Sequence, residues 1–325
     1  MSAFVGVDVS KATLDVVVLV EQKQSYCQVP NTTPGITDLL KWLDTFEQVE
    51  TVCLEATGRY GSRLAKMLYA DGFRVSVLNP LRIKSFAQSL LSRNKTDKYD
   101  AFVIALYAQR MAPDPWTPPS NTLERLKERT RLLHSLKQTQ QAYRNRLQSG
   151  LEDEITLGVI RDLIADLDER IIALRKSLIS LIKQDNELNQ QRQLLTSIPG
   201  VGDLTAAVFL AEVGEIHHFP SRRALASYVG ITPRLHDSGT SVHRHSRISK
   251  QGNKRLRTAL YFPAISAKKW NPICHEFSQR LEKTGLAKKA IIIAVMKKLL
   301  HQMYGVLKSQ QPFDPHFQQK PQIAA

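Results

Sequence analysis

Asp8 in FVGVDVS, Glu55 in TVCLEATG, and Asp97 and Asp100 in NKTDKYDA are carboxylates set where a fold can gather them. The first two stand at or near the ends of apolar, strand-like runs. The other two are spaced i,i+3 behind Thr96, a natural N-cap, at the head of the apolar run AFVIALYA, so both project from one side of a first helical turn. Carboxylates brought together repel one another, and oxygen donors suit a hard divalent cation, Mg2+ with Mn2+ as the alternative. Two such ions about 3.5–4 Å apart would serve phosphoryl transfer. One acid at a strand end is an ordinary solvated terminus, and acids favour first turns for dipole reasons alone. The set of four carries the expectation. Asp38, Asp44 and Asp71 lie on helix faces or turns and match no place in the set.

A second cluster is LHDSGTSVHRHSRISK, where Ser238 is surrounded in sequence by Arg234, His236, His243, Arg244, Arg247 and Lys250, with Lys254 and Arg255 just beyond. Read alone, DSGTS is a turn, and Thr240, Ser241, Ser246 and Ser249 are equally hydroxylic. The cations suit a phosphate backbone, with or without catalysis. His243 and His245 lack a third ligand at metal-site spacing, so phosphate contact is the better reading of that pair.

The elements that must position these residues read as follows. Runs at 3–9 and 13–20 form a hairpin, Tyr26 to Val29 belongs to a third strand, and Pro34–Gly35 opens a helix with Ile36, Leu39, Leu40 and Leu43 on its apolar face. The strand VCLE ends at Glu55, a helix spans about 62–70, and VSVLN is a further strand. Three antiparallel strands followed by alternating helix and strand match the order of the ribonuclease H and RuvC nuclease fold, in which the first and fourth strands are neighbours and Asp8 faces Glu55. Pro113, Pro115, Pro118 and Pro119 mark a boundary. Ile160, Ile164, Leu167, Ile171, Leu174, Leu178 and Leu181 then alternate steps of four and three, a coiled-coil seam that either joins two helices of one chain or pairs two chains. SIPGVG, from Ser197, resembles a helix-hairpin-helix turn, in which glycine lets backbone N–H groups approach a phosphate, and reads equally as a plain helix-to-helix turn. The expected domains are 1–118, a mixed-sheet α/β unit; 119–194, coiled-coil helices; and 195–325, a basic and mostly helical unit.

Composition bounds the partners. The 325 residues carry a net charge of +15, and all of that excess lies late in the chain: Ser221 to Ser309 holds 18 Lys or Arg against 3 acids, while the first 220 residues balance 26 bases with 26 acids. That distribution favours a polyanion. Aromatic content of 7% argues against an extended stacking platform for single strands. Cys27, Cys53 and Cys274 have no metal-clip or disulfide spacing and read as buried thiols of a reducing cytosol. No uninterrupted apolar run reaches the roughly 20 residues of a membrane span, and no basic leader precedes the first strand. A cytoplasmic, nucleoid-associated protein with no membrane partner is expected.

GVDVSKATLDV, CLEATGRYG, NKTDKYDA, IPGVG, YVGITPR, SGTSV and ISKQGNKRLRTALY, in this order, resemble the DEDD-type transposases of bacterial insertion sequences, also described as bridge-RNA-guided recombinases. The resemblance covers nearly the whole chain. It implies a RuvC-like domain whose DEDD quartet falls on Asp8, Glu55, Asp97 and Asp100, and a C-terminal transposase domain whose catalytic serine falls on Ser238; the resemblance alone selects that hydroxyl over its neighbours. It further implies Mg2+, a covalent phosphoserine intermediate, and target and donor DNA as substrates. A structured guide RNA that pairs with both DNAs, and a homo-oligomer, a dimer that becomes a tetramer in the synapse, complete the implied assembly. Such guidance leaves the protein to read backbone and shape. Arg125, Lys127, Arg129 and Arg131 are candidates for RNA contact or, equally, a solvated helix face. The competing readings are a Holliday-junction resolvase that uses the four acids with water, a sugar or acetate kinase suggested by GVDVS alone, and a non-catalytic nucleic-acid-binding coiled-coil protein.

Overall fold

Strand β1 (Ser2–Val9) alternates Val5, Val7 and Val9 with Phe4, Gly6 and Asp8, and both sets are covered, because helices pack on each face of the sheet it centres. The computed structural model describes residues 1–56, 58–90, 96–234, 237–238, 242–243 and 247–316. His236 and Arg244, named above as phosphate contacts, lie outside the described residues. The chain divides into two compact units, Met1–Pro118 and Pro119–Ala325.

In the first unit, β2 (Thr13–Val20) and β3 (Lys23–Pro30) extend β1 as an antiparallel meander. Helix α1 (Thr33–Leu43) is capped by Thr32 and carries Pro34 in its first turn; β4 (Gln48–Glu55) then returns parallel to β1, α2 (Arg59–Ala70) crosses over, and β5 (Val75–Leu78) runs parallel to β4. The strand order is β3-β2-β1-β4-β5, with β1 beside β4 as the sequence order required. Odd-numbered β1 residues meet α1 and α2 in one core, with Ile36, Leu39, Leu43, Leu64 and Leu68. The opposite face takes α4 (Asp97–Met111), which follows α3 (Pro80–Ser89) and buries Val103, Ile104 and Tyr107 against Cys53 and Leu78. The proline-rich segment after α4 is stitched to the sheet edge rather than free: Trp116 N donates to Val75 O at 2.7 Å and Ser76 Oγ to Asp114 O at 2.9 Å.

The second unit begins with an antiparallel pair, α5 (Asn121–Leu147) and α6 (Glu154–Lys183), capped by Ser120 and Asp153. Ile160, Leu167, Ile171, Leu178 and Leu181 of the heptad seam are buried within this one chain. The intrachain reading of the seam therefore holds, and Leu126, Leu133, Ile171 and Leu178 join the same core as the helices that follow. Those are α7 (Asn186–Thr196), α8 (Asp203–Val213), α9 (Arg222–Val229), α10 (Lys254–Ala259), α11 (Tyr261–Trp270), α12 (Pro272–Lys283) and α13 (Lys288–Ser309). Between α9 and α10, among the described residues, lie four two-residue strands, β6 (Pro233–Arg234), β7 (Asp237–Ser238), β8 (Val242–His243) and β9 (Arg247–Ile248). Counted as a helix rather than as an unbroken apolar run, α13 is long and apolar enough to cross a bilayer, with a mean hydropathy of 1.4. Its stripe Ile291, Val295, Leu299, Met303 and Val306 is instead buried in the core of this unit.

The PGVG turn joins α7 to α8. Gly200 has φ +100° and lies so close to α11 that a Cβ there would sit 2.8 Å from Ala267 N, so this glycine serves helix packing. Gly202, the N-cap of α8, faces open space.

Candidate active site

Period-two alternation puts Asp8, Asp15 and Glu55 on the α4 face of the sheet, together with Gly6, Val17, Leu19 and Cys53. Asp8 sits one residue beyond the Val7–Leu54 pair of the parallel β1–β4 ladder, which brings it level with Glu55. On its other side it is the register partner of Asp15. Helix α4 supplies the remaining two acids from its first turn, where Thr96 Oγ1 accepts from Tyr99 N at 3.2 Å and fixes the start. What lets that turn approach is Gly6. A Cβ on it would lie 2.2 Å from both Ala101 O and Ala105 N, so the α4 backbone rests directly on the β1 backbone one turn away from the acids.

The electrostatic consequence appears at Asp8, whose pKa is raised to about 6, first by burial and then by the charges of Asp100, Asp97, Glu55 and Asp15. The charges of the other three carboxylates of the expected set therefore reach Asp8. Among the described residues, no group of three or more His, Cys, Asp or Glu side chains is drawn tightly enough to hold a metal ion as it stands. The charges that help raise the Asp8 pKa, after burial, are ones a cation between these acids would offset. The donor set is all oxygen and fits a hard divalent ion.

Asp15 is absent from the expected set, and at 2% exposure it is the most buried acid of the group. Its Oδ1 accepts from the Tyr26 hydroxyl at 2.7 Å and from Gln28 Nε2 at 3.0 Å. Lys98, between the two acids of α4, lies over the Tyr26 ring at 4.9 Å from its centroid. The signal was present in TLDVVV, an acid inside a β-branched run.

Ser238 lies in the serine ribbon, two short antiparallel strand pairs of which β7–β8 falls within β6–β9 in sequence. Its ladder partner is Val242 and Asp237 pairs with His243, while in the other pair Arg234 pairs with Arg247 and Pro233 with Ile248. The base of the ribbon is tied to the end of α9: Ser249 N donates to Thr232 O, Lys250 N to Gly230 O and Asn253 N to Tyr228 O, at 2.9, 3.1 and 2.7 Å. Beneath that knot is Glu212 of α8, 5% exposed. It accepts from Arg131 Nε at 3.1 Å and from Asn253 Nδ2 at 2.9 Å, and its own carbonyl accepts from the Tyr228 hydroxyl at 2.8 Å. Burial alone would raise the Glu212 carboxyl; the hydrogen bonds from Arg131 and Asn253 and the charges of Arg131 and Lys127 outweigh it and hold the group below the usual carboxylate range. Sequence reading missed Glu212, whose signal is one carboxylate in the apolar helix AVFLAEV. Of the cations named on α5, Arg131 is engaged with Glu212 and Arg129 donates to Ser177 O at 2.8 Å, while Arg125 is exposed. Lys250, Lys254 and Arg255 are exposed on or beside the knot.

Known sequences match this arrangement along its length. A family model described as "Transposase" matches residues 5–155, and one described as "Transposase IS116/IS110/IS902 family" matches residues 192–279. The pilin gene-inverting protein of Moraxella bovis is 34% identical over 96% of this chain and 97% of its own length, and that of Moraxella lacunata matches equally. The transposase for insertion sequence element IS1111A of Coxiella burnetii is 26% identical over 75% of this chain and 71% of its own. A solved structure, T. thermophilus RuvC in complex with Holliday junction substrate, aligns with 36% of this chain and 100% of that one at 16% identity and a TM-score of 0.28, too low to bear on the fold, which rests on the strand order.

Proposed function

Because the chain belongs to the IS116/IS110/IS902 transposase family, we propose that it is a site-specific DNA recombinase in which Asp8, Glu55, Asp97 and Asp100 hold Mg2+ and Ser238 is the nucleophile. Family membership carries the coarser statement, a transposase or recombinase that cuts DNA. The finer one is supported above all by the place of Asp8, level with Glu55 on the face of the sheet that the first turn of α4 approaches and within reach of the charges of Asp97 and Asp100.

Mg2+ bound by these oxygens would withdraw charge from a scissile phosphate. The chain's own groups do the rest. Ser238 Oγ forms a bond to phosphorus as the bond from phosphorus to one strand end breaks, and the serine proton ends on the departing oxygen. Phosphodiester count is conserved, so a new strand end can displace the serine with no outside source of energy. Relatives named as pilin gene-inverting proteins favour this over simple hydrolysis, since inverting a segment means rejoining every end that was cut. Arg234, His236, His243, Arg244, Arg247, Lys250, Lys254 and Arg255 hold the phosphate backbone around the serine. Target and donor are chosen by a structured guide RNA, a division of labour that suits a strongly basic segment without a recognised base-reading motif. The active assembly is a homo-oligomer.

Three preparations test this on a DNA carrying both recombination ends, with the element's RNA present. Ser238→Ala should form no covalent protein–DNA adduct and no recombinant. Asp8→Asn should cut nothing. Adduct-free cleavage by Ser238→Ala would replace the reading with a water-using resolvase, and exchange by Asp8→Asn would reduce the acids to structural groups. Recombination by protein freed of RNA would remove the guide.

A further inference from the structure

A cavity of about 270 Å³ opens on the second unit between α5, α8, α10 and α11, with Glu212 and Arg255, from under and beside the ribbon base, in its lining. Leu133 and Val208 line it, Phe262 stands at its rim with 74% of its surface exposed, and His134, Lys137 and Arg255 surround the mouth. Phe262 is held edge-on by Tyr261, with ring centroids 5.7 Å apart, and among the described residues its outer face has no partner ring. Neither Lys137 nor Arg255 has a carboxylate partner among the described residues. The one acid in the lining, Glu212, is already compensated by Arg131 and Asn253.

An apolar slot with one bare aromatic face and uncompensated cations at its mouth matches a single chemical group. Apolar walls and a ring take a flat heteroaromatic base, and the cations take the anion attached to it. A duplex offers no such group, because its bases are stacked and paired; an unpaired nucleotide does. An acidic peptide would satisfy the cations but leave the ring face bare.

We propose that this cavity captures one unpaired nucleotide, its base stacked on Phe262 and its phosphate held by Lys137 and Arg255. The nucleotide belongs either to an RNA loop or to a DNA strand opened during exchange. The inference rests on the nucleic-acid reading above but is independent of the nucleophile and the metal.

The test uses the full chain with three probes of one sequence: single-stranded RNA, single-stranded DNA and blunt duplex DNA, the single strands carrying one 2-aminopurine. The wild-type chain should bind and quench the 2-aminopurine of one or both single strands, which identifies the source. Phe262→Ala should weaken binding of that strand about tenfold and abolish the quenching, Phe262→Trp should restore both, and duplex affinity should hold. Lys137→Ala and Arg255→Ala should each lower the salt dependence of single-strand binding by about one ion. Phe262 is exposed, so its loss leaves the core intact, and unchanged thermal unfolding checks this. Unaltered single-strand affinity in Phe262→Ala, or an equal loss on duplex, overturns the pocket. Wild-type binding to duplex alone overturns the pocket and leaves the DNA reading standing, whereas binding to none of the probes overturns both.

Discussion

Asp8 on β1 and Asp15 on β2 are directly opposed across an antiparallel pair, so both side chains leave the same face of the sheet. Asp15 is hydrogen-bonded to Tyr26 and Gln28 and adds to the field that raises Asp8. In the proposed reading it is an outer charge behind the site rather than a ligand. Asp15→Asn keeps an oxygen to accept from Tyr26 but removes the charge. Divalent-cation affinity should fall about tenfold with the fold preserved, as read by titrating Mg2+ against DNA cleavage and against thermal stability. Unchanged affinity would leave Asp15 with a structural role alone.

The raised pKa of Asp8 has a sign that can be tested in chelator. The folded state holds this proton more tightly than the unfolded state does, so stability should fall as pH rises from the ordinary carboxylate value, 3.8, through about 6, where the folded chain must ionise against its neighbours. Asp8→Asn should therefore be more stable than the wild type at pH 7 by about 1–2 kcal/mol, allowing for solvent screening, and no more stable near pH 4. Saturating Mg2+ should erase the difference. Urea denaturation across that pH range gives the answer, and a gap that stays constant with pH would refute the clustering.

Much of this arrangement was legible in the sequence because it depends on local periodicity. The alternation FVGVDV fixes which face Asp8 takes, Thr96 marks where α4 begins, and the i,i+3 spacing of Asp97 and Asp100 fixes their common side. Glu212 was not legible, since its partners Arg131, Tyr228 and Asn253 come from three well-separated parts of the second unit with no spacing rule between them. Asp15 was hidden for another reason. Its place opposite Asp8 follows from hairpin register, which a two-residue change in the turn would shift along the strand. The heptad seam was readable as a seam, but a 3.5-residue period is the same whether the partner helix belongs to this chain or another.

Gly6 makes a sharp pair with Gly158. At Gly6 a new Cβ meets α4 backbone at 2.2 Å, whereas at Gly158, inside α6, it meets nothing within 4 Å. Gly6→Ala should cost about 3–4 kcal/mol by forcing helix from sheet, with DNA cleavage lost because Asp97 and Asp100 move away from Asp8. Gly158→Ala should add about 0.5–1 kcal/mol through helix propensity. Chemical denaturation of both variants decides it; a tolerated Gly6→Ala would mean that α4 is not seated as described.

Glu212 should matter to the serine ribbon without touching substrate. Glu212→Gln removes the charge that organises Arg131 and Asn253 and should cost about 2–3 kcal/mol at neutral pH, most of it through the charge-assisted bond. The carboxyl is held below its ordinary value, so its contribution is present above the unfolded pKa and lost as pH falls through the folded one. The variant's deficit should therefore shrink in acid. If the network holds the ribbon base, covalent adduct formation should slow in the variant while Asp8-dependent metal binding stays unchanged. A deficit constant with pH would show that the carboxylate's charge is not what holds the knot.

The distal part of α6 carries a second apolar row that the intrachain hairpin does not cover. Ile155, Val159 and Leu163 recur every four residues and are 80%, 55% and 38% exposed, and the Asp166–Arg170 ion pair, at 2.7 Å, continues the helix beyond them. Leu167 and Ile171, which face α5, are at most 9% exposed, so the two rows serve different neighbours. An apolar row on the outside of a long hairpin is the kind of surface that a homo-oligomer covers. Ile155→Ser together with Val159→Ser should leave thermal unfolding of the second unit within about 0.5 kcal/mol of the wild type, because the residues are exposed. The same change should lower the mass measured by light scattering toward the monomer and reduce recombination more than binding to a single DNA end. An unchanged mass would place the oligomer contact elsewhere and leave this row as ordinary exposed surface.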